Sequence, residues 1–141
     1  MEKIEYPMIR VNSSTWIDYE ELFPLFNGYM YATKDEVFKS YFFNKEFVDS
    51  KGNTFKVVDR IPTTNFFRKL FKFLPGVYRE KLVFKRINKK LKLESFKEDI
   101  IRGIKKFDSD ATKKISESWI DQIKKSNTFG EVINGKAKKL E

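Results

Sequence analysis

Apolar residues recur along this chain at two periods, and the alternation of those periods predicts its elements. Met8-Ile9-Arg10-Val11 suits a short strand. Trp16, Tyr19, Leu22 and Phe23 then recur at helical spacing. Ser14 or Thr15 can cap that helix, Asp18, Glu20 and Glu21 suit its first turn, and Pro24 and Asn27-Gly28 end it. Residues 28–33 read as another strand. Residues 39–49 and 54–61 read as the two arms of a β-hairpin. Tyr41, Phe43 and Phe47 fall at alternate positions in the first arm, and Phe55, Val57, Asp59 and Ile61 share one face of the second. Between them, Ser50-Lys51-Gly52-Asn53 offers two residues that tolerate a positive φ.

Residues 66–74 place Phe66, Phe67, Leu70, Phe71 and Leu74 on one helical face, with Arg68, Lys69 and Lys72 opposite, before Pro75-Gly76. That segment fits a short amphipathic helix or an ordered loop. Residues 77–93 return to strand alternation, with Leu82 and Phe84 between Lys81, Val83 and Lys85. They form one strand or two.

The C-terminal third is helical. Ser95-Phe96-Lys97-Glu98 has the form of a capping box, and Phe96, Ile100, Ile101, Ile104 and Phe107 make a stripe behind it. Asp108-Ser109-Asp110 breaks that helix and can cap the next, whose stripe is Ile115, Trp119, Ile120 and Ile123. Thr128-Phe129-Gly130-Glu131 repeats the capping pattern before Val132 and Ile133, and Asn134-Gly135 ends the last helix. The order predicts an α+β fold, an antiparallel sheet of about four to five strands with three to four helices packed on one face. Residues 1–141 are expected to be a single domain, with 136–141 a frayed polar tail.

Composition narrows the chemistry. The chain has no cysteine and no histidine. Disulfides, thiolate catalysis and thiolate zinc sites are excluded, together with Ser-His-Asp and Cys-His sites. The carboxylates come as adjacent pairs, Glu20-Glu21, Asp35-Glu36 and Glu98-Asp99. Neighbours on a helix point apart and do not share a metal. Asp108 and Asp110 match two positions of a calcium loop, but its Gly and terminal Glu are missing, so capping accounts for them better. No glycine-rich phosphate loop is present. The chain is expected to be no enzyme and to bind no cofactor. No apolar run reaches the roughly 20 residues of a membrane span. The first residues carry no secretory pattern, so a cytoplasmic protein is expected.

Charge changes the picture most. The net charge is +9. Residues 66–92 hold 10 basic side chains and one acid, Glu80, and so carry the whole excess. Arg68, Lys69, Lys72, Arg79, Lys81, Lys85, Arg86, Lys89, Lys90 and Lys92, with Phe66, Phe67 and Phe71, are therefore the candidate binding surface. Such cations can meet nucleic-acid phosphates, an anionic membrane surface or an acidic protein. A solvent-facing sheet with lysines guarding its edges accounts for the same residues without any partner. Trp16 and Trp119 each sit on an apolar stripe and are expected in the core.

The run Phe47-Val48-Asp49-Ser50-Lys51-Gly52-Asn53-Thr54-Phe55-Lys56-Val57-Val58 resembles a strand-turn-strand of small bacterial α+β proteins, among them immunity proteins that neutralise the toxins of competing cells. With the Lys-rich strand, the Ser95 helix and the Trp119 helix, the resemblance covers residues 40–125 as a pattern. It implies a non-enzymatic domain that binds a protein, a toxin in that case, and acts by occlusion. The chain departs from many immunity proteins in being basic, which implies a toxin with an acidic or mixed surface. The alternative is a nucleic-acid or anionic-surface binder using residues 66–92.

Overall fold

The computed structural model describes residues 3–31, 35–62, 79–89 and 91–140. It is α+β, with a five-stranded antiparallel sheet and four α-helices among the described residues. The strands are β1 (Ile9–Arg10), β2 (Tyr29–Tyr31), β3 (Glu46–Val48), β4 (Thr54–Pro62) and β5 (Arg79–Ile87). They lie in the order β1-β3-β4-β5-β2. The helices are α1 (Asp35–Tyr41), α2 (Leu93–Lys106), α3 (Lys113–Lys125) and α4 (Phe129–Leu140).

The hairpin turn is organised by a carboxylate. Asp49 is fully buried, and its Oδ1 accepts from the Lys51 N–H at 3.0 Å and the Asn53 N–H at 2.9 Å. Its Oδ2 accepts from the Glu5 N–H at 3.1 Å, which ties the N-terminal segment to the turn. Gly52 alone takes the positive φ there, +89°, and a Cβ at that site would lie 2.8 Å from the Phe129 ring. The first arm begins later than its aromatic pattern suggests. Lys39, Ser40 and Tyr41 end α1, and Asn44, at φ +59°, turns the chain into β3. In β4 a bulge between Val57 and Asp59 breaks the single face read from the sequence. Phe55 and Val57 are buried while Asp59 and Ile61 are exposed.

Two cores flank the sheet. Phe47 and Val48 are neighbours in β3 and so point to opposite faces. Phe47 joins Met8, Met30, Phe38, Phe55, Val57 and Leu82, and Phe38 brings α1 to that side. Val48 joins Ile9, Val11, Trp16 and Leu22 with Phe96, Ile100, Ile104, Ile123, Val132 and Ile133, so α2, α3 and α4 share the other face. Phe96 stacks on Phe129 with centroids 5.0 Å apart. Buried Lys97 donates from Nζ to the Lys124 carbonyl at 3.3 Å, at the last turn of α3.

Three local readings are corrected. The helix read from Ser14 to Phe23 is two 3-10 turns, Ser13–Thr15 and Tyr19–Leu22. Trp16 takes an extended backbone, φ −68° and ψ 136°, which ends the first turn and lets its buried indole donate from Nε1 to the Val11 carbonyl at 3.2 Å, while Asp99 fixes the segment's start by accepting from the Asn12 and Ser13 N–H groups at 2.7 and 2.9 Å. The Ser95 capping box is not used. α2 starts at Leu93 with Lys92 at its N-cap and no side-chain cap. Leu93 packs against the second core, which draws the helix start forward. α4 runs through Asn134-Gly135 to Leu140 instead of stopping there.

The Thr128 cap is used as its sequence suggests. Thr128 Oγ1 accepts from the Glu131 N–H at 3.0 Å, and Glu131 Oε2 reaches back to the Asn127 N–H at 2.6 Å. Thr128→Ala is expected to lower stability by about 1 kcal/mol, seen as a reduced urea midpoint at unchanged m-value. A midpoint equal to the parent's would show that the cap adds nothing to α4.

Candidate binding surface

The basic strand was the strongest expectation, and its described residues do not converge. Phe66, Phe67, Phe71, Arg68, Lys69, Lys72 and Lys90 lie outside the described residues. Arg79 opens β5 opposite Tyr31. Lys81 and Lys85 are exposed on one face of β5, and Lys85 stands opposite Lys56 of β4. Arg86 falls on the other face, where it donates to Asn53 Oδ1 at 2.9 Å. Lys89 and Lys92 follow the strand, and Lys89 Nζ lies 4.0 Å from Glu46. Glu80, the one acid of the segment, is buried and pairs with Arg60 at 3.2 Å. Arg60 in turn stacks 4.7 Å over the Phe38 ring and so links α1 to the sheet. The sheet's aromatic residues Phe47, Phe55 and Phe84 gather in the first core, so they offer no stacking platform beside Lys81 and Lys85.

A second surface was not expected. Where the end of α2 meets the start of α3 and the second 3-10 turn, a groove of about 430 Å³ opens. Its apolar wall is Leu22, Phe23, Ile104, Phe107, Ile115 and Trp119. Phe23 and Ile115 are 45% and 51% exposed, unusual for residues on two apolar stripes. Trp16 is buried as expected, but Trp119 is half-buried, with one edge against the core and one in the groove.

The polar end of the groove is built from the inter-helix turn. Asp108 Oδ1 accepts from Thr112 Oγ1 at 2.7 Å, Ser116 Oγ at 2.8 Å and the Ser109 N–H at 2.9 Å. Those donors, Thr112 first and Ser116 second, hold the carboxyl below its ordinary pKa, with Lys113 nearby adding to the effect. The capping role read for Asp108 is corrected: α3 has Thr112 at its N-cap and no side-chain cap, and Asp108 instead gathers the Thr112 and Ser116 hydroxyls and the Ser109 amide of the inter-helix turn. Lys106 closes the turn on the other side. Its Nζ donates to the carbonyls of Ser13, Ser14 and Trp16 at 3.3, 3.3 and 2.7 Å, which locks the N-terminal segment onto α2.

The groove therefore rests on a hydrogen-bonded frame, and its lining is mostly apolar. Among the described residues, no group of three or more carboxylates could hold a metal ion, and no helix is long and apolar enough to cross a membrane. No protein-family profile, curated protein or solved structure matches the chain.

Proposed function

We propose that the chain is a non-enzymatic domain that binds a protein partner through the groove of Phe23, Ile115 and Trp119. An immunity-type inhibitor, acting in the bacterial cytoplasm by covering a toxin, is the form that best joins this surface to the hairpin resemblance. One observation carries the reading. Phe23 and Ile115 expose about half their surface beside a half-buried tryptophan, on a frame held by Asp108 and Lys106. Exposed apolar groups around an aromatic anchor are the usual make-up of an interface centre.

The test is affinity capture from nuclease-treated lysate of the native host at low and moderate salt, with the wild type beside Phe23→Asp/Ile115→Asp. Both positions are exposed, so the double variant is expected to keep its thermal midpoint while losing a discrete protein that the wild type retains. Equal retention by the two would remove the groove from the reading.

A second reading, a nucleic-acid or anionic-surface binder, has its own support. Lys56 and Lys85 stand directly opposite on β4 and β5, a like-charge pair that weakens a sheet, and Lys81 shares their face. Recovery of nucleic acid without nuclease, lost steeply as salt rises, would favour it.

A further inference from the structure

We infer that Asn27 is a site of self-catalysed deamidation, where the Gly28 nitrogen attacks the Asn27 side-chain amide and leaves an aspartyl or isoaspartyl residue just ahead of β2. The chain holds two Asn-Gly pairs, Asn27-Gly28 and Asn134-Gly135. Glycine has no Cβ to shield its nitrogen from such an attack. The fold treats the two pairs differently. Asn27 is exposed in the bend that leads into β2, and its Oδ1 accepts from the Tyr29 N–H at 3.0 Å. That hydrogen bond folds the side chain along its own backbone, closing a ring that contains both the amide carbon and the Gly28 nitrogen. It also draws electron density from the carbonyl under attack. Asn134 lies inside α4, where side chains tilt toward the helix N-terminus. Its Nδ2 is 3.9 Å from the place a Cβ on Gly130 would take, one turn back and away from the Gly135 nitrogen.

The step needs water alone as co-reactant. The Gly28 nitrogen bonds to the Asn27 side-chain carbonyl carbon, and the side-chain nitrogen leaves as ammonia, carrying the proton that the Gly28 N–H gives up. Water then opens the cyclic imide. Attack at the side-chain carbonyl gives aspartate; attack at the main-chain carbonyl gives isoaspartate, in which the chain runs through the side chain. Either product adds a carboxylate beside the basic strand β5, since Tyr29 stands opposite Lys81. Isoaspartate also lengthens the main chain immediately before the Gly28 carbonyl, which accepts from the Leu82 N–H at 2.8 Å and anchors the start of β2. Packing keeps the vulnerable pair in place. A Cβ on Gly28 would stand 2.7 Å from the Tyr6 hydroxyl oxygen, so glycine is held there by its neighbour.

Ageing the full chain in mildly alkaline buffer, folded and in denaturing guanidinium chloride, tests this. Peptide mapping by mass spectrometry follows the exchange of amide NH2 for OH at each asparagine, and chromatography separates aspartate from isoaspartate. In the unfolded chain the two Asn-Gly pairs should convert at similar rates. In the folded chain Asn27 should convert at least as fast as it does unfolded, while Asn134 falls behind it several-fold. Asn27→Gln, at an exposed position, should remove the acidic species that builds up in the folded protein, and Asn134→Gln should leave it. Folded Asn27 converting more slowly than unfolded Asn27 would show that the Tyr29 hydrogen bond protects the amide, and would overturn the inference. Folded Asn134 keeping pace with Asn27 would overturn it as well.

Discussion

Glu21→Leu is expected to destabilise the protein by about 3–5 kcal/mol. Arg10 and Glu21 form an ion pair whose side chains are only 3% and 2% exposed. Arg10 also donates to Thr15 Oγ1 at 2.7 Å, while its Nε finds no partner among the described residues. Burial pulls the guanidinium below its ordinary pKa, and the adjacent Glu21 carboxylate pulls it back. Removing Glu21 leaves that buried cation without its ion-pair partner. Arg10→Met/Glu21→Leu, which removes both charges and keeps much of the volume, is expected to recover most of the loss. Urea unfolding of the two variants at neutral pH checks this. A single variant within about 1 kcal/mol of the parent would mean that water or a rearranged side chain takes over the pairing.

Gly103→Ala is the second. Ala is the better helix former by about 1 kcal/mol, so local propensity predicts a gain. Packing predicts the reverse. A Cβ on Gly103 would stand 2.2 Å from Trp16 Cζ3 and 2.7 Å from Cε3. An indole held at 2% exposure, with its Nε1 donating to the Val11 carbonyl at 3.2 Å, has little room to retreat. The expected outcome is a loss near the upper end of about 1–3 kcal/mol. Trp16→Phe/Gly103→Ala should be more stable than the two single losses added together, because the smaller ring relieves the clash. A stabilised Gly103→Ala would show that the α2–Trp16 contact is loose.

The legible parts of this fold are those whose signals are local. The stripes of α2 and α3 and the alternation of Leu82 and Phe84 with Lys81 and Lys85 are read directly, because one helix or strand buries one face. The Thr128 cap is legible for the same reason. Residues 12–23 are not, since the partners that shape them are distant: Asp99, which takes the Asn12 and Ser13 amides, is 87 positions away from Asn12, and Gly103 lies against the Trp16 ring. The groove is hidden by a similar cause. Ile115 and Trp119 lie on the same stripe as Ile123, and nothing along α3 tells which end of the stripe passes beyond its neighbours. Likewise Glu80 reads as a lone acid in a basic run until Arg60, on the neighbouring strand, reaches it.

Residues that meet late in synthesis decide when this protein can become compact. The second core joins Ile9, Val11, Trp16 and Leu22 to side chains from Phe96 to Ile133, and the Lys106 clamp on the Trp16 carbonyl closes a separation of 90 positions. On the ribosome, the first core can assemble around the hairpin once β5 has emerged. The N-terminal aromatic and aliphatic side chains of the second core must wait, unsatisfied, until α2, α3 and α4 follow. During that interval Trp16 and its neighbours face solvent, and the half-made protein carries a sticky surface that the finished one does not.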